Sequence, residues 1–157
     1  MTRICFVCLG NICRSPLAEG IFNHLAAQAG RGPEFHVESA GLGSWHVGEA
    51  PDSRAQRVAQ AHGVALDSRA QQFRAKDFER FDLVLALDDD IYGGLLELAP
   101  SPAARAKVRY LRDYDPLAGP DREVPDPYYG NQRLFEHVYA LIESACRGLL
   151  DELSTGR

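Results

Sequence analysis

Ile4-Cys5-Phe6-Val7-Cys8-Leu9-Gly10-Asn11-Ile12-Cys13-Arg14-Ser15-Pro16 carries an apolar, strand-like run into a short loop and then, at Ser-Pro, into a helix start. Cys8 and Arg14 frame the loop, with five residues between them that include Gly10 and Asn11. Glycine accepts positive φ without cost, and asparagine tolerates it better than most residues. Such a loop can curl until successive backbone N–H groups point inward and form a nest for an anion. The helix behind it adds unpaired N–H groups and the positive end of its dipole. Cys8 then lies at the floor of a positive cup, where thiolate is favoured over thiol. Arg14 belongs to the wall, with a planar fork that can grip two phosphate oxygens. The stretch reads as a nucleophilic thiolate aimed at a bound phosphoryl group.

Outward from this junction, the chain alternates between two periods. Leu17, Ile21 and Leu25 are spaced for one face of a helix, which Gly30-Arg31-Gly32-Pro33 breaks. Phe35 to Ala40 alternates like a strand and leaves into Gly41-Leu42-Gly43-Ser44-Trp45. A helix is predicted from about Asp52 to His62, opened by Pro51-Asp52 and closed by Gly63, and a helical turn over Arg74 to Phe78. Asp82 to Leu87 is almost continuously apolar, as suits a parallel strand buried on both faces. Asp88-Asp89-Asp90 ends it and opens a helix that stops near Pro100. Lys107 to Leu111 is the last predicted strand. Asp113 to Tyr129, with four prolines, is a loop, and a helix with Leu134, Val138, Leu141, Ile142 and Leu149 inward completes the chain. Strands alternating with helices imply an α/β fold, a parallel sheet covered on both faces. Ligands in such sheets bind beyond the carboxyl ends of the strands. That rule gathers the Cys8 loop, the Ser39–Trp45 loop, Asp88 and the Asp126 loop on one rim.

Length and composition set bounds. The 157 residues read as one domain, 1–157, without repeat, linker or low-complexity segment. With 22 acidic against 17 basic residues the net charge is −5, which speaks against general binding to nucleic acid or anionic membrane. No run approaches the ~20 apolar residues of a membrane span, and no leader precedes the first strand, so a cytoplasmic protein is expected. Cys5, Cys8 and Cys13 crowd one end and Cys146 stands alone, which is no disulfide framework. Cys5-x-x-Cys8 has metal-pair spacing, but Cys5 lies within the strand and no second Cys/His pair follows, so no metal is expected. Cys5 and Cys146 are read as small buried apolar residues.

Two motifs carry a family resemblance. Cys8-Leu9-Gly10-Asn11-Ile12-Cys13-Arg14-Ser15-Pro16 resembles the signature loop of the low-molecular-weight protein tyrosine phosphatases, and Asp126-Pro127-Tyr128-Tyr129-Gly130 resembles their second signature. A bare Cys-x5-Arg is shared by unrelated phosphatases and some arsenate reductases; the pair of motifs is far more specific. The resemblance spans essentially the whole chain and implies a four-stranded sheet in the order 2-1-3-4. It also implies a cofactor-free phosphatase with Cys8 as nucleophile, Arg14 and loop residues Leu9, Gly10, Asn11, Ile12, Cys13 and Ser15 around the phosphate, and Asp126 as general acid. By sequence alone an Asp such as Asp126 in a Pro-rich loop is usually just a turn residue, here stiffened by Pro125 and Pro127, and it is the resemblance that makes it the general acid ahead of Asp121 and Glu123 on the same loop. Ser15 can cap the helix, or donate to the sulfur when phosphocysteine breaks down, or both. Trp45, Tyr128 and Tyr129 are loop aromatics that can pack over a core edge or wall a cleft for an aryl phosphate. Ser39 and Asn11 are expected to hold the loop shape, as their family counterparts do, and Asp88 to steady Arg14 or cap a helix. Many relatives have a His where this chain has Ser68, which leaves part of the loop support unaccounted for. Cys13, by the same resemblance, can intercept oxidised Cys8 as a disulfide.

The expected partners are phosphotyrosine proteins or aryl phosphates, with phosphate-like anions as inhibitors and the protein a monomer or weak dimer. Three rivals stand beside this reading. Thioredoxin-linked arsenate reduction needs further cysteines between Cys13 and Cys146, and there are none. A sister group that hydrolyses phosphoarginine has Thr where this chain has Ile12. A phosphotyrosine-binding module that does not cleave would have lost Cys8 or Asp126.

Overall fold

In a computed structural model that describes residues 1–155, the strands form one parallel sheet in the order β2-β1-β3-β4. They are β1 (Thr2–Cys8), β2 (Phe35–Gly41), β3 (Leu83–Ala86) and β4 (Val108–Tyr110). Parallel neighbours need crossovers, and the intervening helices supply them. The register sets Cys8 against Gly41 and Val7 against Ala86, so the first three strands end at one level.

The helices are α1 (Arg14–Gln28), α2 (Ser53–Ala61), α3 (Asp89–Leu98), the short α4 (Pro102–Arg105) and α5 (Gln132–Thr155). Successive side chains of β1 point to opposite faces. Ile4, Phe6 and Cys8 pack with α1, α2 and α5, while Cys5 and Val7 pack with α3, Ala104 of α4 and Phe73, Phe78 and Phe81. This explains why β1 is apolar at every position from Ile4 to Cys8: it has no polar face to present. Among the described residues no helix is long and apolar enough to cross a membrane.

The structure departs from the sequence expectations at several ends. β4 stops at Tyr110, because Leu111–Tyr114 turns into a 3-10 segment held by the Asp113 carboxylate on the Tyr110 N–H. Periodicity gave no sign of α4, a single turn capped by Ser101 with Pro102 first. Leu141, expected inward, is half-buried, and Phe135, Ala145, Cys146 and Leu150 fill the α5 seam instead. Ser15 does not cap α1: the capping position is Cys13, and no side chain there bonds the open N–H groups.

Candidate active site

Cys8 is the last residue of β1 and Arg14 the first of α1, so strand end and helix start fix the two sides of the loop between them. The loop turns at Asn11, whose φ is 58°; Gly10 stays out of that region. It is clasped from outside by Leu42 N–H on Cys8 O (3.0 Å), Gly43 N–H on Leu9 O (2.9 Å) and Asp52 N–H on Ile12 O (2.8 Å). Gly41 is obligatory for the clasp, since a Cβ there would lie 2.7 Å from Leu9 O.

The sulfur sits in a ring of donors. Asn11 N–H points at Cys8 Sγ (3.3 Å), and Ser15 Oγ lies 2.9 Å from it. Neighbours fix which way these groups point. Asn11 Oδ1 accepts from the Gln71 backbone N–H (2.9 Å), so its amide nitrogen must face the other way. That nitrogen donates to Ser15 Oγ (2.8 Å) and Ser39 Oγ (3.0 Å). Ser39 sends its own proton to Glu19 (2.6 Å), while Ser15 Oγ, 2.9 Å from Cys8 Sγ and 3.4 Å from Ala40 O, can donate to either. The Asn11 N–H and the Ser15 hydroxyl thus both lie against the sulfur.

Arg14 is held from behind. One nitrogen, Nη1, donates to Asp88 (2.6 Å) and to Val124 O (3.0 Å), which leaves the rest of the fork for an anion. Its side chain is only 4% exposed. Burial works against the charge, but Cys8, Asp88 and Asp126 outweigh it and hold the guanidinium above its ordinary pKa. Asp88 does both jobs the sequence left open, since its other oxygen caps α3 through Ile91 N–H (2.8 Å). Asp126 approaches from the opposite rim, with Oδ2 at 3.7 Å from Arg14 Nη2 and Oδ1 accepting from Tyr128 N–H (3.1 Å). Asp121 and Glu123 are engaged elsewhere, near Arg112 and on Asp89 N–H.

These groups open into a cleft of about 340 Å³ that Cys8, Leu9, Gly10, Ile12, Cys13 and Arg14 floor and Trp45, Tyr128 and Tyr129 wall. Tyr128 is the packed wall, with Tyr129 edge-on to it and 96% exposed. Trp45 is 69% exposed and folds back over Gly43, where any Cβ would run into its ring. His46, which the sequence reading passed over, also lines the cleft and hydrogen-bonds Glu49 (3.1 Å). Its place next to Trp45 was the available signal. Glu19 was missed as well, because it looks like an ordinary helix-surface acid. Cys13 is buried beside Cys8, and burial, with Asp52, Cys8 and Asp126, pushes its thiol well up, which makes it a poor nucleophile. Gln71 and Glu19 provide the loop support left open by Ser68, Gln71 also donating to Ser39 O (2.9 Å). A second hollow of about 380 Å³ behind α1, beside Glu19 and Ser68, contains neither Cys8 nor Arg14.

The sequence profile of the low molecular weight phosphotyrosine protein phosphatases matches residues 3–157. A low molecular weight protein-tyrosine-phosphatase of Streptomyces coelicolor is 50% identical over 149 residues, covering 94% of this chain and 91% of the relative. The crystal structure of a protein tyrosine phosphatase from Entamoeba histolytica, with Hepes in the active site, superposes with a TM-score of 0.95 at 35% identity over 99% of both chains. Vibrio vulnificus Wzb in complex with benzylphosphonate superposes with a TM-score of 0.83 at 28% identity, over 96% of this chain and 98% of the other. With a match along nearly its whole length and the sheet order that the motifs implied, the chain belongs to the low molecular weight phosphotyrosine protein phosphatase family.

Proposed function

We propose that this protein hydrolyses phosphotyrosine through a phosphocysteine, without a cofactor. The observation that carries the reading is the pairing, at one cleft, of a sulfur ringed by donors with a pinned arginine and a carboxylate on the opposite rim. Cys8 thiolate attacks phosphorus in line, and the bond from phosphorus to the phenol oxygen breaks. Asp126 gives its proton to that oxygen as it leaves. Arg14 and the open N–H groups of the loop and first turn of α1 hold the equatorial oxygens, whose charge develops in a largely water-excluded floor. Water then attacks the phosphocysteine, Asp126 takes its proton, and Cys8 departs as a thiolate received by Ser15 and Asn11 N–H. The aromatic walls suit an aryl group, and benzylphosphonate in the Vibrio protein is an aryl-bearing phosphate mimic of that kind. Phosphate-like anions should compete for the cup. Cys13 stands by to trap oxidised Cys8 as a disulfide. A cytoplasmic setting, which keeps the four cysteines as thiols, suits this chemistry.

Ile12 supports phosphotyrosine over phosphoarginine, since its apolar side chain lies in the cleft floor, where a guanidinium would want a polar neighbour. Side-by-side turnover of phosphotyrosine, phosphoarginine and phosphoserine peptides, with arsenate as a fourth substrate, tests the assignment. Phosphotyrosine should have the highest kcat/KM, and Ile12→Thr should move the ratio toward phosphoarginine. A wild-type preference for phosphoarginine would overturn the substrate class.

A further inference from the structure

We infer that Arg54 is a positioning residue for the general acid, a clamp that ties the Asp126 loop to the phosphate loop. The inference rests on the reading of Asp126 given above. Arg54 lies in the first turn of α2, outside both signature motifs. Its guanidinium grips the Asp52 carboxylate twice, Nε to Oδ1 (3.0 Å) and Nη2 to Oδ2 (2.9 Å). Such a bidentate pair holds the fork in one orientation. The remaining nitrogen, Nη1, donates to Gly130 O (3.1 Å), at the far end of Asp126-Pro127-Tyr128-Tyr129-Gly130. The same cation lies 5.6 Å from the centre of the Tyr128 ring and 4.8 Å from that of Phe135.

Asp52 completes the link. Its backbone N–H bonds Ile12 O (2.8 Å), and its carboxylate caps α2 through Arg54 N–H (2.8 Å). A continuous path therefore runs from the phosphate loop at Ile12, through Asp52 and Arg54, to Tyr128 and Gly130. On the other side of Asp126, Val124 is fixed by Leu87 O (2.8 Å) and by Arg14 (3.0 Å). The upstream side of the acid is thus anchored to the sheet, and the downstream side to α2 by Arg54. Without Arg54 the hydrogen bonds that hold the segment from Tyr128 to Gly130, among the described residues, are Gly130 N–H on Pro127 O and the Asx turn at Asp126, both internal to the loop, beside a loose ring contact of Tyr128 with His46 at 6.4 Å. The carboxyl must meet the leaving oxygen within hydrogen-bond reach, and a displacement of about 1 Å can cost ~10²-fold in rate.

The test is a leaving-group series of aryl phosphates, from 2,4-dinitrophenyl to phenyl phosphate, run on wild type, Asp126→Asn, Arg54→Met, Arg54→Lys and the double variant Arg54→Met/Asp126→Asn. Met keeps an apolar stem over Phe135, and Lys keeps the charge but cannot hold Asp52 and Gly130 together. Arg54→Met should slow kcat/KM roughly tenfold or more for phenyl phosphate, within the ~10²–10⁴ range of general acid catalysis, and little for the activated ester. Lys should restore only part of this. Inhibition by inorganic phosphate should be unchanged, because the cup is intact. In the Asp126→Asn background Arg54→Met should add nothing to the leaving-group dependence. Equal slowing across the series, or full additivity in the double variant, would overturn the clamp. If Asp126→Asn itself showed no leaving-group dependence, the reading of Asp126 would fail, which is a separate outcome.

Discussion

At the residue scale the site contrasts two cysteines five positions apart. Cys8 is met by an N–H and a hydroxyl, whereas Cys13 is surrounded by burial and acidic neighbours that keep it a thiol, with only Arg54 pulling the other way. Sequence already sets Cys8 apart by its place at the strand end, five residues before Arg14; the structure adds how different the two surroundings are. The contrast leads to an expected outcome with peroxide. A thiolate is what peroxide oxidises first, to a sulfenic acid. The Cys13 thiol can then displace it, forming a Cys8–Cys13 disulfide and releasing water. Peroxide inactivation of wild type should be reversed by a dithiol, with that single disulfide found by peptide mapping. Cys13→Ser should turn over normally before treatment and fail to recover after it. Full recovery of the Cys13→Ser variant would reduce Cys13 to packing. Legibility at this scale was uneven. Cys8 and Arg14 were legible in the spacing and the Gly-Asn loop between them, whereas Asp126 stood out only through the family resemblance. Ser15 lies inside the first turn of α1 rather than at its capping position, and its Oγ meets Cys8 and Asn11 instead.

At the scale of elements, α1 does more than offer its dipole. Ser15 and Glu19 lie four residues apart and so share a face. That face runs from the sulfur through Asn11 and Ser39 to the Glu19 carboxyl. Burial, with Asp67 and Glu38 adding to it, raises the Glu19 pKa despite the hydrogen bond from Ser39. A carboxyl so raised binds its proton more readily in the folded state than unfolded. Its contribution to stability is full below the unfolded value of about 4.3 and is lost as pH rises through the folded value. Glu19→Gln stays neutral throughout and keeps an acceptor for Ser39. Its Tm relative to wild type should therefore climb as pH rises from about 4 to about 7, with turnover near wild type. A Tm difference that stays flat over that range would show Glu19 titrating as an exposed acid. This role was invisible in the sequence, where a glutamate in the second turn of a helix reads as solvent-facing. Periodicity located α1 and α5, which have apolar faces to bury, while α2 and α3 were legible through their start and stop residues, Pro51-Asp52 with Gly63 and Asp88-Asp89-Asp90 with Pro100. It missed α4, whose single turn is too short for any period to register.

For the molecule as a whole, the sheet order 2-1-3-4 brings segments far apart in the chain to one rim. Arg14 meets Asp88 and Val124, and Arg54 meets Gly130, across 74, 110 and 76 positions. The rim was foreseeable because parallel sheets bind ligands beyond their strand ends. What sequence could not supply was the set of tethers around the site, since Arg54, which holds Gly130, and Gln71, which holds Asn11, belong to no motif and act only through contacts formed on folding. The fold sets Cys8, Arg14 and Asp126 around one small cleft, and the proposed route takes phosphate through Cys8. Rapid acid quench of enzyme mixed with excess p-nitrophenyl phosphate, followed by peptide mass spectrometry, tests this most directly. Phosphate should be found on the peptide at Cys8, with a matching burst of nitrophenol. The Cys8→Ser variant should still bind inorganic phosphate but give no burst. Phosphate on another residue, or ordinary turnover by Cys8→Ser, would contradict the account.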